Sequence, residues 1–201
     1  MTPAVFFDRD GTLNEDVGYL DRLERLHLYP YVTEAMRVVS RAGYRIVIVT
    51  SQAGIALGFM DEATVQHIHA HIVERMAKAG VRVDGVYYCP HHPNAKVAQY
   101  RVTCECAKPK PGLVLQAARE LDLDLSRSFV VGDRWRDLLM GQAAGVRGLL
   151  VRTGYGETEA GAVPADGRAE AVVANAMEAA SWIVRHAPLT PESAVPAGGR
   201  A

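Results

Sequence analysis

The sequence predicts an α/β fold with a Rossmann-like, mostly parallel sheet that carries helices on both faces. Two observations lead to this prediction. Short apolar runs of strand length alternate with segments of helical periodicity, and these runs are apolar throughout, as in parallel strands buried on both faces. We expect one domain over residues 1–187, followed by a disordered tail over residues 188–201 that is rich in Pro, Gly and Ala.

The elements follow one another from the first residues onward. An A-V-F-F-D run is the first predicted strand, and the β-branched run R-I-V-I-V-T is the second. Gly43, Gly80 and Gly145 each follow a helical segment, where glycine suits the left-handed conformation that ends a helix, and Asp61 is the expected N-cap of the second helix. The predicted strands cover residues 4–8, 45–50, 84–89, 129–133, 148–151 and 171–174, and the predicted helices cover residues 32–42, 62–79, 111–121, 134–144 and a last segment ending near 186.

Composition excludes several classes of partner. The 201 residues carry a net charge of −1. The sequence therefore lacks the excess of basic residues that would predict binding to nucleic acid or to an anionic membrane. No apolar run approaches the length of a membrane span, and the N-terminus lacks the basic and apolar regions of a signal peptide. We therefore expect a cytoplasmic protein that acts on a small molecule, and a compact single domain could do so as a monomer.

Acidic side chains follow two of the predicted strands. Asp8 and Asp10 come after the first strand, and Asp133 ends the fourth. Carboxylates that meet at the carboxyl edge of a parallel sheet need a cation, and Mg²⁺ is a hard ion that prefers oxygen ligands. One such carboxylate can attack phosphorus and a second can protonate the leaving oxygen, while Thr50 and Lys108 can bind the phosphate. A single aspartate after a strand is often only a helix cap, but the combination predicts phosphoryl transfer.

Three cysteines and a histidine cluster in a long loop over residues 89–110 that lacks periodicity. Three thiolates and one imidazole suit tetrahedral Zn²⁺ and leave no open position for water, so the predicted site is structural. The alternative is three free, buried thiols, and His92 is a competing ligand. The predicted zinc ligands are Cys89, His91, Cys104 and Cys106.

Four motifs together resemble those of the haloacid dehalogenase superfamily of phosphatases. They are D-R-D-G-T at residues 8–12, V-T-S-Q at 49–52, K-P-K-P-G at 108–112 and V-G-D at 131–133. The segments C-P-H-H-P and C-x-C-x-K-P-x-P-G resemble the subfamily of histidinol-phosphate and heptose-1,7-bisphosphate phosphatases, in which a zinc-bound loop is a minimal cap. The resemblance covers residues 4–186.

This resemblance implies a role for each matching residue. It implies that Asp8 is the nucleophile and Asp10 the general acid and base, and that Asp8, the backbone carbonyl of Asp10 and Asp133 bind Mg²⁺. Thr50 or its neighbour Ser51, together with Lys108, would hold the phosphoryl group. Asp137 lies one helical turn beyond Asp133 and is either a supporting residue of the metal site or an exposed acid favoured by the helix dipole.

The resemblance also implies a substrate. It favours removal of the C7 phosphate from D-glycero-D-manno-heptose 1,7-bisphosphate, with histidinol phosphate or another small phosphomonoester as the alternative. Ala107 stands where the heptose enzymes often have an arginine, and Arg134 either replaces that charge or is a solvated residue at a helix start. The residues expected to bind the substrate are Asp16, Val17, Gly18, Tyr19, Ser51, Gln52, Ala107 and Arg134.

Two other readings of the sequence are less favoured. A receiver-like binding module would use an aspartate and Mg²⁺ but would lack the second acid, Asp10, and a phosphotransferase would need a large cap to exclude water. Between the two acids, Arg9 is expected to point away from them, either in a buried ion pair or toward the substrate. The alternate spacing of His67, His69 and His71 places them at the surface or the edge of the core.

Overall fold

A computed structural model describes residues 1–189 of the chain. Its centre is a six-stranded sheet in the order β3-β2-β1-β4-β5-β6, in which every neighbouring pair is parallel. This confirms the predicted α/β class. All but the first two residues of the predicted tail lie outside the described residues. The strands are β1 Ala4–Phe7, β2 Arg45–Ser51, β3 Gly85–Cys89, β4 Phe129–Gly132, β5 Arg147–Val151 and β6 Ala171–Val173.

Within residues 1–189, six α-helices connect and cover these strands. The Asp61 side chain accepts a hydrogen bond from the backbone N–H of Thr64 at 2.8 Å, as an N-cap should, and Gly43 and Gly80 follow their helices at φ of 94° and 74°. The short fifth helix was not predicted, because five residues show no apolar periodicity. No helix in this part of the chain is long and apolar enough to cross a bilayer. The helices are α1 Val32–Arg41, α2 Glu62–Lys78, α3 Gly112–Leu121, α4 Trp135–Ala143, α5 Gly156–Ala160 and α6 Ala176–His186.

The side chains of β1 alternate between two hydrophobic cores. Val5 and Phe7 pack in the core that α1, α2 and α6 cover, whereas Ala4 and Phe6 pack in the core that α3 and α4 cover. Such alternation follows from the two-residue repeat of a strand. The helices therefore lie on both faces of the sheet, as the continuous apolar character of the strands predicts.

The strand order determines which loops meet. Since β1 lies between β2 and β4, the residues that follow these three strands share one stretch of the carboxyl edge, where ligands bind in open parallel sheets. Asp8 and Asp133 directly follow β1 and β4 here, and Thr50 is the last residue but one of β2. The long loop after β3, residues 90–111, starts at the same edge.

Candidate active site

Three buried aspartates form a cluster at the carboxyl edge. Oxygen atoms of Asp8, Asp133 and Asp137 all lie within 4.8 Å of one another. Asp8 follows β1, Asp133 follows β4, and Asp137 lies in the first turn of α4. Asp137 is only 1% exposed, so the reading that makes it a solvated acid is wrong, because α4 directs its first turn into the site.

Lys108 joins two of these carboxylates. Its Nζ atom lies 2.5 Å from Asp8 Oδ1 and 2.8 Å from Asp137 Oδ1, and it also donates to the carbonyl of Val49 at 3.0 Å. The side chain is almost completely buried. A buried ammonium held by three acceptors is a fixed positive charge beside Asp8.

The cluster holds more negative charge than its surroundings stabilise. Burial and the charge of the neighbouring Asp137 raise the pKa of Asp8 to about 7, against the attraction of Lys108. Burial and the charge of Asp8 raise the pKa of Asp133 to about 8. A divalent cation would favour the ionised form of both groups, and the carboxylate oxygens are the donors that Mg²⁺ prefers. The donor set therefore fits Mg²⁺.

A glycine makes room for this cluster. Gly11 has a φ of 82°, and a Cβ atom there would lie 2.2 Å from Asp133 Oδ2. The glycine of the D-R-D-G-T motif is thus required both by its backbone conformation and by its close approach to the third aspartate.

Asp10 lies next to the cluster but not in it. Its carboxylate accepts hydrogen bonds from Arg9 at 2.7 Å, from Asn14 at 2.9 Å and from Gln52 at 3.0 Å. Although burial opposes ionisation, the charge of Arg9 holds the pKa of Asp10 below its ordinary value. The expectation that Arg9 points away from the acids is wrong, because β1 ends at Phe7 and strand alternation no longer applies. The buried ion pair is the alternative that the structure bears out.

Arg9 also contacts a buried histidine. Its Nη1 atom lies 3.0 Å from Nε2 of His69, which is in α2 and only 6% exposed. Burial, followed by the charge of Arg9, lowers the pKa of His69 to about 3. The prediction of a surface or core-edge position is thus wrong for this histidine, because its ring is buried against Arg9 and the ring of Tyr88.

A cavity of about 420 Å³ opens above these residues. Val17 and Ala107 do not line it, and Ala107 instead faces a separate cavity of about 340 Å³ beside the cysteine loop. The lining residues that the sequence singled out for the site are Asp8, Asp10, Asp16, Gly18, Tyr19, Thr50, Ser51, Gln52 and Arg134. Those that it did not assign to the site are Ala53, Gly54, Met60, His92, Arg136 and Tyr155.

Residues 53–60, which follow β2, connect the loops around the cavity. Phe59 stacks on Tyr19 with 4.3 Å between ring centroids, and a Cβ atom at Gly54 would lie 2.9 Å from the Tyr19 ring. The carbonyl of Ala56 accepts hydrogen bonds from the backbone of Lys96 and its neighbour, at 2.9 and 3.0 Å. No periodicity marks this segment, so sequence reasoning missed it.

Arg134 provides positive charge at the cavity. Its guanidinium carbon lies 3.5 Å from the centroid of the Tyr155 ring, and one nitrogen lies 3.5 Å from Asp16 Oδ2. Stacking on one side and a carboxylate on the other hold the planar group against the cavity wall. Arg136 lies two residues further along and also lines the cavity.

The cysteine loop brings four metal-ligand atoms together. The Cys89 sulfur lies 3.7 Å from the Cys104 sulfur and from His91 Nδ1, and the Cys106 sulfur lies 3.2 Å from the same nitrogen and 3.0 Å from the Cys89 sulfur. Tetrahedral zinc with bonds of about 2.3 Å would separate two sulfurs by about 3.8 Å. The set therefore fits Zn²⁺ after a small adjustment at Cys106. The neighbouring Cys89 raises the pKa of the Cys106 thiol.

His92 does not belong to this set. Its Nδ1 atom accepts a hydrogen bond from the backbone N–H of Asn94 at 3.1 Å, and its side chain lines the larger cavity. Among these two histidines, His91 is therefore the one that lies with the three cysteines. The loop leads directly from Cys106 to Lys108. Only two peptide bonds therefore separate the cysteine cluster from the lysine that contacts Asp8.

The chain is similar to known proteins over most of its length. Residues 105–179 match the HAD-hydrolase-like family model. A D-glycero-β-D-manno-heptose-1,7-bisphosphate 7-phosphatase of Photorhabdus laumondii is 44% identical over 153 residues, which cover 76% of this chain and 81% of the relative. The protein of the same name from Escherichia coli K12 is 41% identical, over 76% of this chain and 80% of the relative.

Solved structures agree with these relatives. A D,D-heptose 1,7-bisphosphate phosphatase of B. bronchiseptica, crystallised with magnesium and phosphate, has a TM-score of 0.80 and 30% identity, and the match covers 92% of this chain and 99% of that one. The chain therefore belongs to the haloacid dehalogenase superfamily of phosphatases. Its relatives within that superfamily are the heptose-1,7-bisphosphate 7-phosphatases.

Proposed function

We propose that the chain is a Mg²⁺-dependent phosphatase that hydrolyses the C7 phosphate of D-glycero-D-manno-heptose 1,7-bisphosphate and leaves heptose 1-phosphate. The observation that supports this chemistry is the position of Asp8 in the cavity. It lies close to Lys108 and to two further carboxylates, with Asp10 beside it. The proposed substrate is that of the similar heptose-1,7-bisphosphate phosphatases. We further propose a monomer in the cytoplasm, with one domain over residues 1–187.

In the proposed reaction, a carboxylate oxygen of Asp8 attacks the phosphorus of the C7 phosphate and forms an aspartyl phosphate. Asp8, the Asp10 carbonyl and Asp133 would hold Mg²⁺, which would offset the charge of the phosphate oxygens. Lys108 adds a fixed positive charge, and Thr50 bonds the phosphoryl group. Asp137 keeps Lys108 in place through the ion pair at 2.8 Å.

Asp10 carries the proton in both halves of the proposed reaction. Arg9 favours the ionised form of Asp10 in the free protein, and the negative charge of a bound phosphate would favour its protonated form. In that form Asp10 protonates the C7 oxygen as the bond between phosphorus and that oxygen breaks, and it then takes a proton from the water that attacks the aspartyl phosphate. Breakdown of this intermediate releases inorganic phosphate and restores the Asp8 carboxylate. The side chain of Asp10 lines the cavity, so both leaving group and water can reach it.

The remaining proposed residues hold the sugar and shape the cap. Asp16, Gly18, Tyr19, Ser51 and Gln52 line the cavity and are proposed to contact the heptose. Gln52 also bonds Asp10 and Thr50, at 3.0 and 2.9 Å, which holds both side chains toward the substrate. A structural Zn²⁺ bound by the cysteine loop completes the proposed minimal cap.

The test of this proposal compares substrates. Phosphate release is measured with Mg²⁺ from both anomers of the heptose bisphosphate and from histidinol phosphate at matched concentrations. A kcat/KM for one heptose anomer that is about 100-fold above that for histidinol phosphate, a difference of nearly 3 kcal/mol, supports the proposal. A preference for histidinol phosphate would keep the phosphatase chemistry and refute the heptose assignment.

We expect Asp10→Asn to lower kcat on the heptose bisphosphate by about 10²–10⁴-fold, the range that a general acid and base contributes. The amide keeps the size of the side chain but cannot exchange the proton. Because the backbone carbonyl is the proposed metal ligand, Mg²⁺ affinity should change little, and titration of the metal by calorimetry checks this. Full activity in this variant would exclude Asp10 from proton transfer.

We expect Arg134→Ala to raise KM for the heptose bisphosphate by about 10-fold, with a smaller change for p-nitrophenyl phosphate, which has one phosphate. The reason is that Arg134 faces the cavity and can bond the distal C1 phosphate. Arg152→Ala is the matched control, because Arg152 pairs with the exposed Glu157. Equal effects on the two substrates would contradict a role in distal phosphate binding.

A further inference from the structure

Arg9 is the largest side chain without exposed surface among residues 1–189. A buried guanidinium is unfavourable unless its N–H groups find acceptors. Nε and Nη2 contact the carboxylate of Asp10 at 2.7–3.1 Å, and Nη2 also donates to Gln52 Oε1 at 3.0 Å. The remaining nitrogen, Nη1, has His69 Nε2 as its partner at 3.0 Å.

This last contact defines the state of His69. A guanidinium only donates hydrogen bonds, so Nε2 of the histidine must be the acceptor. The imidazole is then neutral and carries its proton on Nδ1. The ring is held in place by α2 and by Tyr88 of β3, whose ring centroid lies 5.5 Å away. His69 is therefore a rigid acceptor at the far end of the arginine.

We propose that His69 is a positioning residue for Asp10 and acts through Arg9. Its Nε2 lone pair orients the guanidinium, and the guanidinium in turn holds the carboxylate that exchanges protons at the cavity. The inference rests on the proposed function, since the proton is carried by Asp10 and His69 never touches the substrate.

Loss of the acceptor should affect one kind of substrate more than another. In His69→Leu, Nη1 loses its partner, and Arg9 can move and carry Asp10 away from the leaving oxygen. Misplacement by about 1 Å can cost about 10²-fold in rate. A sugar alkoxide needs protonation as it leaves, whereas p-nitrophenolate leaves as a stable anion.

We therefore expect His69→Leu to lower kcat/KM on the heptose bisphosphate by about 10–100-fold. The ratio kcat/KM reports only the steps up to departure of the leaving group, so it leaves out the hydrolysis of the aspartyl phosphate that both substrates share. On p-nitrophenyl phosphate we expect a loss of kcat/KM below about 3-fold, because departure of p-nitrophenolate does not depend on Asp10 as an acid. His69→Gln keeps a side-chain acceptor and should recover most of the rate. The ratio of the two kcat/KM values within one preparation is independent of the fraction of folded protein.

His67→Leu and His67→Gln are matched controls, because His67 lies in the same helix and is exposed. They should change neither rate. Equal losses of kcat/KM on both substrates in His69→Leu, or no loss, would overturn the inference. If wild-type protein hydrolyses another sugar phosphate but neither heptose anomer, the proposed function fails, and the same ratio with that sugar phosphate still tests His69.

A spectroscopic measurement tests the contact without any substrate. Two-bond ¹H–¹⁵N correlation spectra at neutral pH should show His69 neutral and protonated on Nδ1, with the signal assigned by its absence in His69→Gln. A charged His69, or one protonated on Nε2, would overturn the proposal whatever the enzyme hydrolyses.

Discussion

Asp8→Asn should reduce turnover of any phosphomonoester by about 10⁴-fold or more, the scale seen when a covalent nucleophile is removed. An amide has nearly the shape of the carboxylate but does not attack phosphorus. Lys108 keeps two of its three acceptors, the Asp137 carboxylate and the Val49 carbonyl. The variant should therefore fold, and removal of one charge from the aspartate cluster should not lower its melting temperature by more than a few degrees.

The measurement combines steady-state rates with mass spectrometry of rapidly quenched enzyme. Wild-type protein should show a phosphate adduct on the peptide that contains Asp8, and the Asn variant should show none. Asp166→Asn is the control, since Asp166 is exposed and distant in sequence from the site. A variant that retained even a tenth of the wild-type rate would rule out covalent catalysis by Asp8.

Removal of the zinc site has the second large expected effect. His91→Ala should release the metal, lower the melting temperature by about 5 °C or more, and reduce kcat strongly. The loop has few apolar contacts of its own, so a bound metal would replace a core there. Because Lys108 follows Cys106 by two residues, a mobile loop would also displace the charge beside Asp8.

His92→Ala is the matched control for this prediction. Its side chain stands next to His91 in sequence but accepts a backbone hydrogen bond instead of joining the cluster. It should keep one zinc per chain, measured by a colorimetric chelator, and the wild-type melting temperature. Its KM can change, because His92 lines the cavity. Loss of zinc from His92→Ala but not from His91→Ala would reverse the ligand assignment.

Much of the fold could be read from the pattern of residues. The six strands were predicted in order, and the structure moves their ends by no more than two residues. Buried parallel strands are continuous apolar runs, and glycine ends helices at φ values that other residues rarely adopt. Helix α5 escaped prediction, since a single exposed turn leaves no periodic trace.

The sequence by itself determined which acids stand at strand ends, because a strand is a local pattern and its last residue is fixed by the chain. It also determined the types and the spacing of the four residues that cluster in the cysteine loop. These features belong to short stretches of chain, where residue type and position in an element are enough.

Only the tertiary structure decided how distant side chains meet. The strand order brings Asp8 and Asp133 together, and the direction of α4 buries Asp137. Because β1 ends at Phe7, Arg9 is free to turn toward the neighbouring Asp10. The contact between Arg9 and His69 joins residues 60 positions apart. The local sequence does not predict such a contact, because it forms only when whole helices pack against the sheet.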